Sequence, residues 1–297
     1  MDALKIKGLE KKLEGKAILS GLNLSLSEGS VYGLLGLNGA GKTTLIKTLA
    51  GLYTADSGEI QLLGDKADAG SLALKQKLGY VAEIDLLPAW ASISDLCHLE
   101  RSLRPGSWAQ DDLDDWMKKQ KLDPERKAAS LSKGQRKRLE LELLLAAKPR
   151  LLLLDEPLSG LDPVSRLDFM ERLIGYVADR SATVLMSSHI LGDLERLCDR
   201  IGILQDGQIV LELGMEELKE KAVLVSWTGK GEAKAPSSTG KILASVQDSG
   251  GGQHWVVLKK TSATAKAPAS YRMRQESLEE MGAHLLRGLE SREARHV

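Results

Sequence analysis

Residues 36–43 have the composition of a loop that binds phosphate. They read Gly-Leu-Asn-Gly-Ala-Gly-Lys-Thr, with glycine at three positions and a lysine and a threonine at the end. Glycine permits backbone angles that point successive N–H groups at a polyphosphate, lysine adds a cation, and the threonine hydroxyl suits Mg²⁺. The pattern predicts a nucleotide-binding loop with contacts from Gly36, Asn38, Gly39, Ala40, Gly41, Lys42, Thr43 and Thr44.

Two consecutive acids, Asp155 and Glu156, follow the apolar run of residues 151–154. A carboxylate at the end of a strand can hold Mg²⁺ beside a phosphate loop. A second carboxylate next to it can accept the proton of an attacking water. We therefore expect Thr43 and Asp155 to bind the metal and Glu156 to act as the catalytic base. The alternative for Glu156 is an ordinary solvated acid at a strand end.

An alternation of strands and helices surrounds these residues. Apolar runs and helical spacing predict strands over 31–35, 151–154, 183–186 and 200–204, and helices over 43–50, 163–179 and 191–197. Short alternating runs over residues 3–26 predict antiparallel strands, and residues 84–148 have a helical, polar pattern. Within the latter, Ser92-Ile-Ser-Asp95 is a predicted capping box, and a helix is predicted over 135–147, with Pro149 ending it. The expected fold class is α/β, with a parallel sheet core, an antiparallel β subdomain and an inserted helical subdomain at about 84–148.

Three further motifs stand in a fixed order with the first two: Leu131-Ser-Lys-Gly-Gln135, Ser159-Gly-Leu-Asp162 and His189. The ordered set resembles the ATPase subunit of ABC (ATP-binding cassette) transporters, which has the P-loop NTPase fold. The resemblance implies ATP and Mg²⁺ as cofactors and a catalytic role for His189 at the γ phosphate and the attacking water. It also implies a head-to-tail dimer, in which ATP held by one subunit meets Ser132 and Gly134 of the other. Gln135 and Asp162 are also expected to bind the nucleotide.

Three positions depart from the family pattern. Lys133 replaces the first glycine of the family's LSGGQ signature. Glu83 stands where the Q-loop usually has glutamine; a carboxylate remains a competent metal ligand, so we expect it in the catalytic and metal-binding set. The resemblance makes Glu83 a common variant among exporters whose permease is a separate chain. Leu13 occupies the place of an aromatic residue that stacks on adenine in the family. Either the loss of that ring weakens binding of the base by about 1–3 kcal/mol, or Leu13 and Ile18 pack on the base instead.

The pattern of apolar and polar residues changes near residue 221. We expect an ATPase nucleotide-binding domain over 1–220 and a small α+β accessory domain over 221–297. Strands are predicted over 222–227, 241–247 and 254–258, with a hairpin turn over 248–252, a linker over 261–270 and a capped helix after Ser277. Trp227 and Trp255 either stack on a sugar or fill the core of this sheet, and the core is the favoured interpretation.

The composition of the chain limits the classes of partner and the cellular location that we expect. Lys and Arg number 41, as do Asp and Glu, which removes the electrostatic argument for nucleic acid. Two cysteines without metal-ligand spacing fit a reducing cytosol. No signal peptide and no apolar stretch of about 18 residues is seen, so we expect a cytoplasmic protein, peripheral on the inner face of the cell membrane.

The leading hypothesis is the ATP-hydrolysing subunit of a bacterial ABC exporter. It pairs with itself or a homologous ATPase subunit and drives a separate integral membrane permease. The alternative is a soluble ABC ATPase with an assembly or regulatory role and no permease. Chromosome and repair members of the family need a long coiled coil between their motifs, and the roughly 90 residues from Lys42 to Leu131 are too few for one.

Overall fold

The computed structural model describes residues 1–66, 71–104, 108–229, 233, 236, 240–247, 252–259 and 271–293. Within them the strands are β1 (Asp2–Leu13), β2 (Lys16–Ser27), β3 (Val31–Leu35), β4 (Ser57–Leu62), β5 (Asp65–Lys66), β6 (Leu78–Val81), β7 (Leu151–Leu154), β8 (Thr183–Ser188), β9 (Arg200–Gln205), β10 (Gln208–Gly214), β11 (Ala222–Trp227), β12 (Gly240–Gln247), β13 (Gln253–Lys259) and β14 (Tyr271–Arg274). The helices are α1 (Lys42–Leu49), α2 (Leu72–Lys77), α3 (Ile93–Leu103), α4 (Gln110–Lys119), α5 (Lys133–Ala146), α6 (Pro163–Arg180), α7 (Leu191–Glu195), α8 (Met215–Lys221) and α9 (Leu278–Glu293). In this described part, no helix combines the length and apolarity needed to cross a bilayer.

Contacts divide the chain into two compact units. The first comprises residues 1–32, 41–187 and 206–208, and the second comprises 33–40, 188–205 and 209–297.

The first unit contains the parallel strands that follow one another in the order β8, β7 and β6. Leu154 lies beside Val81 on one side and beside Met186 on the other. All four leucines of β7 have no exposed surface, which explains the continuous apolar run, because a parallel strand is covered on both faces. The carboxyl ends of these strands meet at one edge, so the residues that follow them become neighbours.

An antiparallel sheet in the order β2-β1-β4-β5 also belongs to the first unit. Its two longest strands are continuous over 12 residues each, where the sequence suggested shorter strands interrupted by glycine. Gly8 and Gly21 have positive φ and fall at shifts of the β1–β2 register. These glycines therefore accommodate irregularities inside the strands instead of ending them.

The helices α3, α4 and α5 share a core within the first unit. Ile93, Leu113 and Leu139 have no exposed surface in this cluster, and Trp116 packs with them. The predicted capping box at α3 is confirmed: Ser92 and Asp95 exchange side-chain to backbone hydrogen bonds of 2.9 and 3.1 Å. This cluster gives the helical segment a core of its own.

The second unit contains β9, β10 and an antiparallel sheet in the order β12-β13-β11-β14. Val225, Trp255 and Val257 form the core of that sheet, and Trp227 and Tyr271 pack against this core. The ring centroids of Trp227 and Tyr271 are 5.1 Å apart. The core interpretation of the two tryptophans is therefore confirmed. The predicted linker and most of the hairpin turn lie outside the described residues. The capping box of α9 is present, since Glu280 N–H donates to the Ser277 hydroxyl at 3.3 Å.

Candidate nucleotide site

A buried hydrogen-bond relay joins the ends of β7 and β8 in the first unit. The Ser187 hydroxyl donates to Asp155 Oδ1 at 2.9 Å and accepts from the Glu156 backbone N–H at 2.9 Å. Asp155 is 1% exposed and Ser187 is fully buried. The relay fixes the direction of the Asp155 carboxylate and the backbone position from which Glu156 projects.

The Asp155 carboxylate lies in an environment that opposes its charge. Burial raises its pKa above the ordinary value of 3.8, hydrogen bonds from Thr43 and Ser187 act against that rise, and the charges of Glu83 and Glu156 add to it. The structure thus brings Thr43, Glu83, Asp155 and Glu156 together, and only Thr43 among them is not an acid. Such a concentration of negative charge favours a bound cation.

Lys42 forms an ion pair with Glu156, with 3.2 Å between Lys42 Nζ and Glu156 Oε1 and both side chains under one tenth exposed. Glu156 also has a φ of 44°, a strained value for a residue with a side chain. The lysine expected to bind the terminal phosphates is therefore paired with the expected base. A polyphosphate that attracted Lys42 would release the Glu156 carboxylate for work on a water molecule.

The phosphate loop is divided between the two units. In the first unit Gly41, with φ 106°, precedes α1, and a Cβ there would lie 3.4 Å from Ile18 Cγ2, so Ile18 packs at the end of the loop. Thr44 is buried. In the second unit a Cβ on Gly36 would lie 2.8 Å from the Leu204 carbonyl oxygen, so the loop leaves β3 with no room for a side chain.

The remaining loop residues and the other base-binding candidate are exposed to different degrees. In the second unit Asn38 and Gly39 are exposed and Ala40 is half-buried, its N–H donating to the Leu37 carbonyl at 3.2 Å. Leu13 lies in the first unit at the turn between β1 and β2, paired with Lys16 and half-buried. Its contact with adenine remains a prediction.

A second cluster in the first unit joins the Ser132 turn to the segment around Asp162. Ser132 caps α5: its hydroxyl accepts from Gln135 N–H at 3.2 Å, and Gln135 Oε1 accepts from Ser132 N–H at 3.0 Å. This cap makes α5 begin at Lys133, two residues before the start that the sequence predicted at Gln135. The Ser132 O–H remains able to donate to an anion.

Asp162 caps α6 and is tied to the same cluster. Its Oδ1 accepts from Ser165 N–H at 3.0 Å and its Oδ2 from the Ser165 hydroxyl at 2.6 Å, and these bonds lower the pKa of Asp162. A Cβ on Gly134 would collide with Ser165, whose own Cβ would be 3.0 Å away, and one on Gly160 would collide with the Lys133 ammonium. The signature turn, which is expected to act on the partner's ATP, and the segment around Asp162 are therefore packed against each other.

His189 belongs to the second unit and lies in a tightly closed segment. The Ser188 hydroxyl accepts from Ile190 N–H at 3.0 Å and donates to Asp193 Oδ2 at 3.4 Å. The Asp193 backbone N–H donates a hydrogen bond to the Ile190 carbonyl at 3.2 Å. These bonds join the position of His189 to the start of α7.

Sequence reasoning missed Ser187. The strand pairing carried the signal, because Met186 lies beside Leu154 in a parallel register and the next residues, Ser187 and Asp155, must then be neighbours. A hydroxyl at the end of an apolar strand next to the metal-binding strand is the pattern that predicts this role.

The residues at Asp155 fit a magnesium ion. Asp155 Oδ2 is buried and has no hydrogen-bond partner among the residues that the structure describes. A buried acceptor without a donor costs free energy, which a cation would offset. Asp155 and the Thr43 hydroxyl would hold the ion, with Glu83 beside them, and the ion would supply charge neutralisation at the terminal phosphates.

The loop sequence and the carboxylate cluster define a P-loop ATPase. A family model described as ABC transporter matches residues 19–159. The ABC transporter ATP-binding protein YtrB of Bacillus subtilis (strain 168) is 32% identical over 222 residues, which cover 75% of each chain. Nod factor export ATP-binding protein I of Burkholderia orbicola (strain AU 1054) is 35% identical over 221 residues, covering 73% of this chain and 72% of that protein. A solved structure of an ATP-binding subunit of an ABC transporter matches with a TM-score of 0.67 at 27% identity, covering 73% of this chain and 92% of the other.

The chain therefore belongs to the ABC transporter ATP-binding proteins. It is a nucleotide-binding ATPase of the kind that drives transport, and its fold is the ABC cassette expected from the motif order.

Proposed function

We propose that this chain is the ATP-hydrolysing subunit of a bacterial ABC exporter. Two copies, or one copy and a homologous subunit, close head to tail around two ATP–Mg²⁺ and drive a separate permease from the inner face of the membrane. The observation that carries this proposal is the cluster of Lys42, Asp155, Glu156 and Ser187, which prepares a metal site and a base beside a phosphate-binding lysine. The name of the Nod factor export relative supports the outward direction.

The catalytic roles follow from the geometry of the cluster. Lys42 exchanges Glu156 for the terminal phosphates, and the freed carboxylate orients water for attack. Asp155 and Thr43 hold Mg²⁺, with Glu83 close enough to act on Asp155. His189 assists at the γ phosphate, while Leu13 and Ile18 line the adenine side.

An apolar groove in the first unit supports the proposed permease contact. A cavity of about 460 Å³ is lined by leucines of α3 and α5 and by residues 86–88. Leu86 is 56% exposed and Leu99 51%, and the nearby sequence adds Trp90 at 74%. Exposed apolar side chains around a cavity mark an interaction surface. Leu86 stands three residues after Glu83, so we expect a permease bound in the groove to act on the carboxylate cluster through this short segment.

Co-purification from detergent extracts tests the permease contact. The full chain, expressed in its own cells, should bring down a multi-span membrane protein. Leu86→Ser combined with Trp90→Ala should lose that partner and keep the basal ATPase rate, because neither side chain belongs to the site.

Val210→Ser is the matched control, since Val210 is also an exposed apolar residue, 48% exposed on β10. It should keep the partner. Reproducible absence of any membrane protein from the wild-type preparation would instead favour a soluble ATPase without a permease.

A further inference from the structure

The C-terminal helix α9 makes its closest described approach to α7 at a glycine. A Cβ on Gly282 would lie 2.6 Å from Leu191 Cβ, 3.4 Å from Leu191 Cδ2 and 3.5 Å from its backbone nitrogen. Leu191 is 1% exposed and is the first residue of α7, two residues after His189. Only glycine permits this approach, so the contact is specific in position.

Buried side chains surround the glycine contact. Met281 and Leu285 are each 1% exposed, and Leu278 is 9% exposed. On the other side, a Cβ on Gly192 would be in ordinary contact with Glu279 Cβ at 3.8 Å. The contact with α7 therefore runs from Glu279 to Gly282, about one turn of α9, and in a closely packed interior a change in α9 is transmitted to α7 as a displacement.

The same helix is held on the accessory sheet by a second glycine. A Cβ on Gly288 would lie 2.6 Å from Ala244 Cβ and 3.2 Å from the Ser245 backbone nitrogen, both on β12. Gly282 and Gly288 thus fit α9 to two different elements. The helix therefore contacts the start of α7 and the C-terminal sheet at two separate positions, and each contact can be changed by itself.

The segment before α7 transmits displacement of Leu191 to the histidine. Ser188, Ile190 and Asp193 are joined by hydrogen bonds of 3.0 to 3.4 Å that span His189. A histidine acting on a reacting phosphate must be placed within about 0.5 Å. A shift at Leu191 would disturb that placement.

We propose that the C-terminal region positions His189 for ATP hydrolysis through the contact between α9 and α7, with Gly282 and Leu191 as positioning residues. This rests on the role of His189 in the proposed function. A displacement of α9 where Gly282 meets Leu191 then changes the turnover number without touching the nucleotide.

The test compares two alanine substitutions in the same helix. In the full chain, Gly282→Ala should lower kcat for Mg-ATP at least tenfold and leave KM within twofold, since the nucleotide contacts are intact. Gly288→Ala introduces an equally close Cβ on the opposite contact and should lower Tm by a similar amount with kcat within twofold of wild type. His189→Ala is measured in parallel.

Equal kcat for Gly282→Ala and Gly288→Ala at a similar loss of Tm would overturn the proposal. If Gly282→Ala does not fold, Leu191→Ala, which keeps Cβ and withdraws the Cδ atoms, should lower kcat severalfold with KM unchanged; a wild-type kcat would overturn it equally. Full turnover by His189→Ala contradicts the proposed catalytic role and the positioning with it. An inactive His189→Ala beside a fully active Gly282→Ala contradicts the positioning alone.

Discussion

The carboxylate of Asp155 is almost completely shielded from water. Its carboxylate receives a hydrogen bond from Ser187, yet burial and the neighbouring acids still raise its pKa. The folded chain therefore holds this proton to a higher pH than the unfolded chain does. Ionisation of Asp155 thus costs stability as pH rises from about 4 through the raised pKa, and the full cost is present above that pKa.

Asp155→Asn should raise the Tm of the nucleotide-free protein at neutral pH, because the amide has no charge to bury. The gain should disappear below about pH 4, where both groups are neutral. Mg-ATP turnover should fall by at least about 100-fold, since a metal ligand is lost. Thermal unfolding at several pH values and an ATPase assay check this prediction.

Asp206→Asn is the control, because Asp206 is exposed in a turn with φ 48°, a backbone conformation that asparagine tolerates. It should change neither Tm nor turnover. A neutral-pH Tm for Asp155→Asn at or below that of the control would contradict the account of Asp155.

At this scale the motifs predicted the candidate residues but not all of their contacts. Asp155 and Glu156 were predicted from their place after an apolar strand. The pairing of Glu156 with Lys42 was not, because residues more than 100 positions apart become neighbours only through the sheet. Ser187 was missed because it meets Asp155, 32 positions away, only through the pairing of β7 with β8. The catalytic and binding roles of the site residues remain predictions.

The packing of α5 against the start of α6 explains why the signature motif has glycine at position 134 and can have lysine at position 133. Gly134 faces Ser165 at the start of α6, where a side chain collides. Lys133 is exposed and extends over Gly160, which has positive φ. The lysine fits because its partner is a glycine, and the signature turn stays packed on the segment before α6.

Gly134→Ala should lower the free energy of unfolding by about 1–2 kcal/mol, because the new methyl displaces the Ser165 hydroxyl from Asp162. Gly175→Ala in α6 is the matched substitution: nothing lies within 4 Å of its Cβ position. It should raise the free energy by about 0.5–1 kcal/mol through helix propensity. Urea denaturation of both variants measures the difference, and equal stabilities would contradict this packing.

Element boundaries were predictable where a local signal ends them. Ser92, Pro149 and Ser277 each mark a helix end that the structure keeps at or within a few residues of the prediction. The strands β1 and β2 were underestimated, because a glycine inside a strand has the same local pattern as a glycine in a turn.

At the scale of the whole molecule, the alternation of strands and helices was enough to predict the fold class. Three of the four described strands of the C-terminal sheet were also predictable from their apolar patterns, and β14 was not. The domain boundary near residue 220 remains a prediction. The contact of α9 with α7 was not predictable. A glycine that admits another helix has no signature in the sequence around it, and the two helices are over 80 residues apart.

We infer that Glu156 is the base of an ATPase that works as an ATP-held dimer. Sedimentation of Glu156→Gln with and without Mg-ATP tests it most directly, with Lys42→Ala as the variant that cannot bind the phosphates. Glu156→Gln should become a dimer with one ATP per chain and hydrolyse it at least about 100-fold more slowly than wild type, while Lys42→Ala should stay monomeric. A Glu156→Gln protein that remains monomeric with ATP bound, or that turns over at the wild-type rate, would contradict the claim.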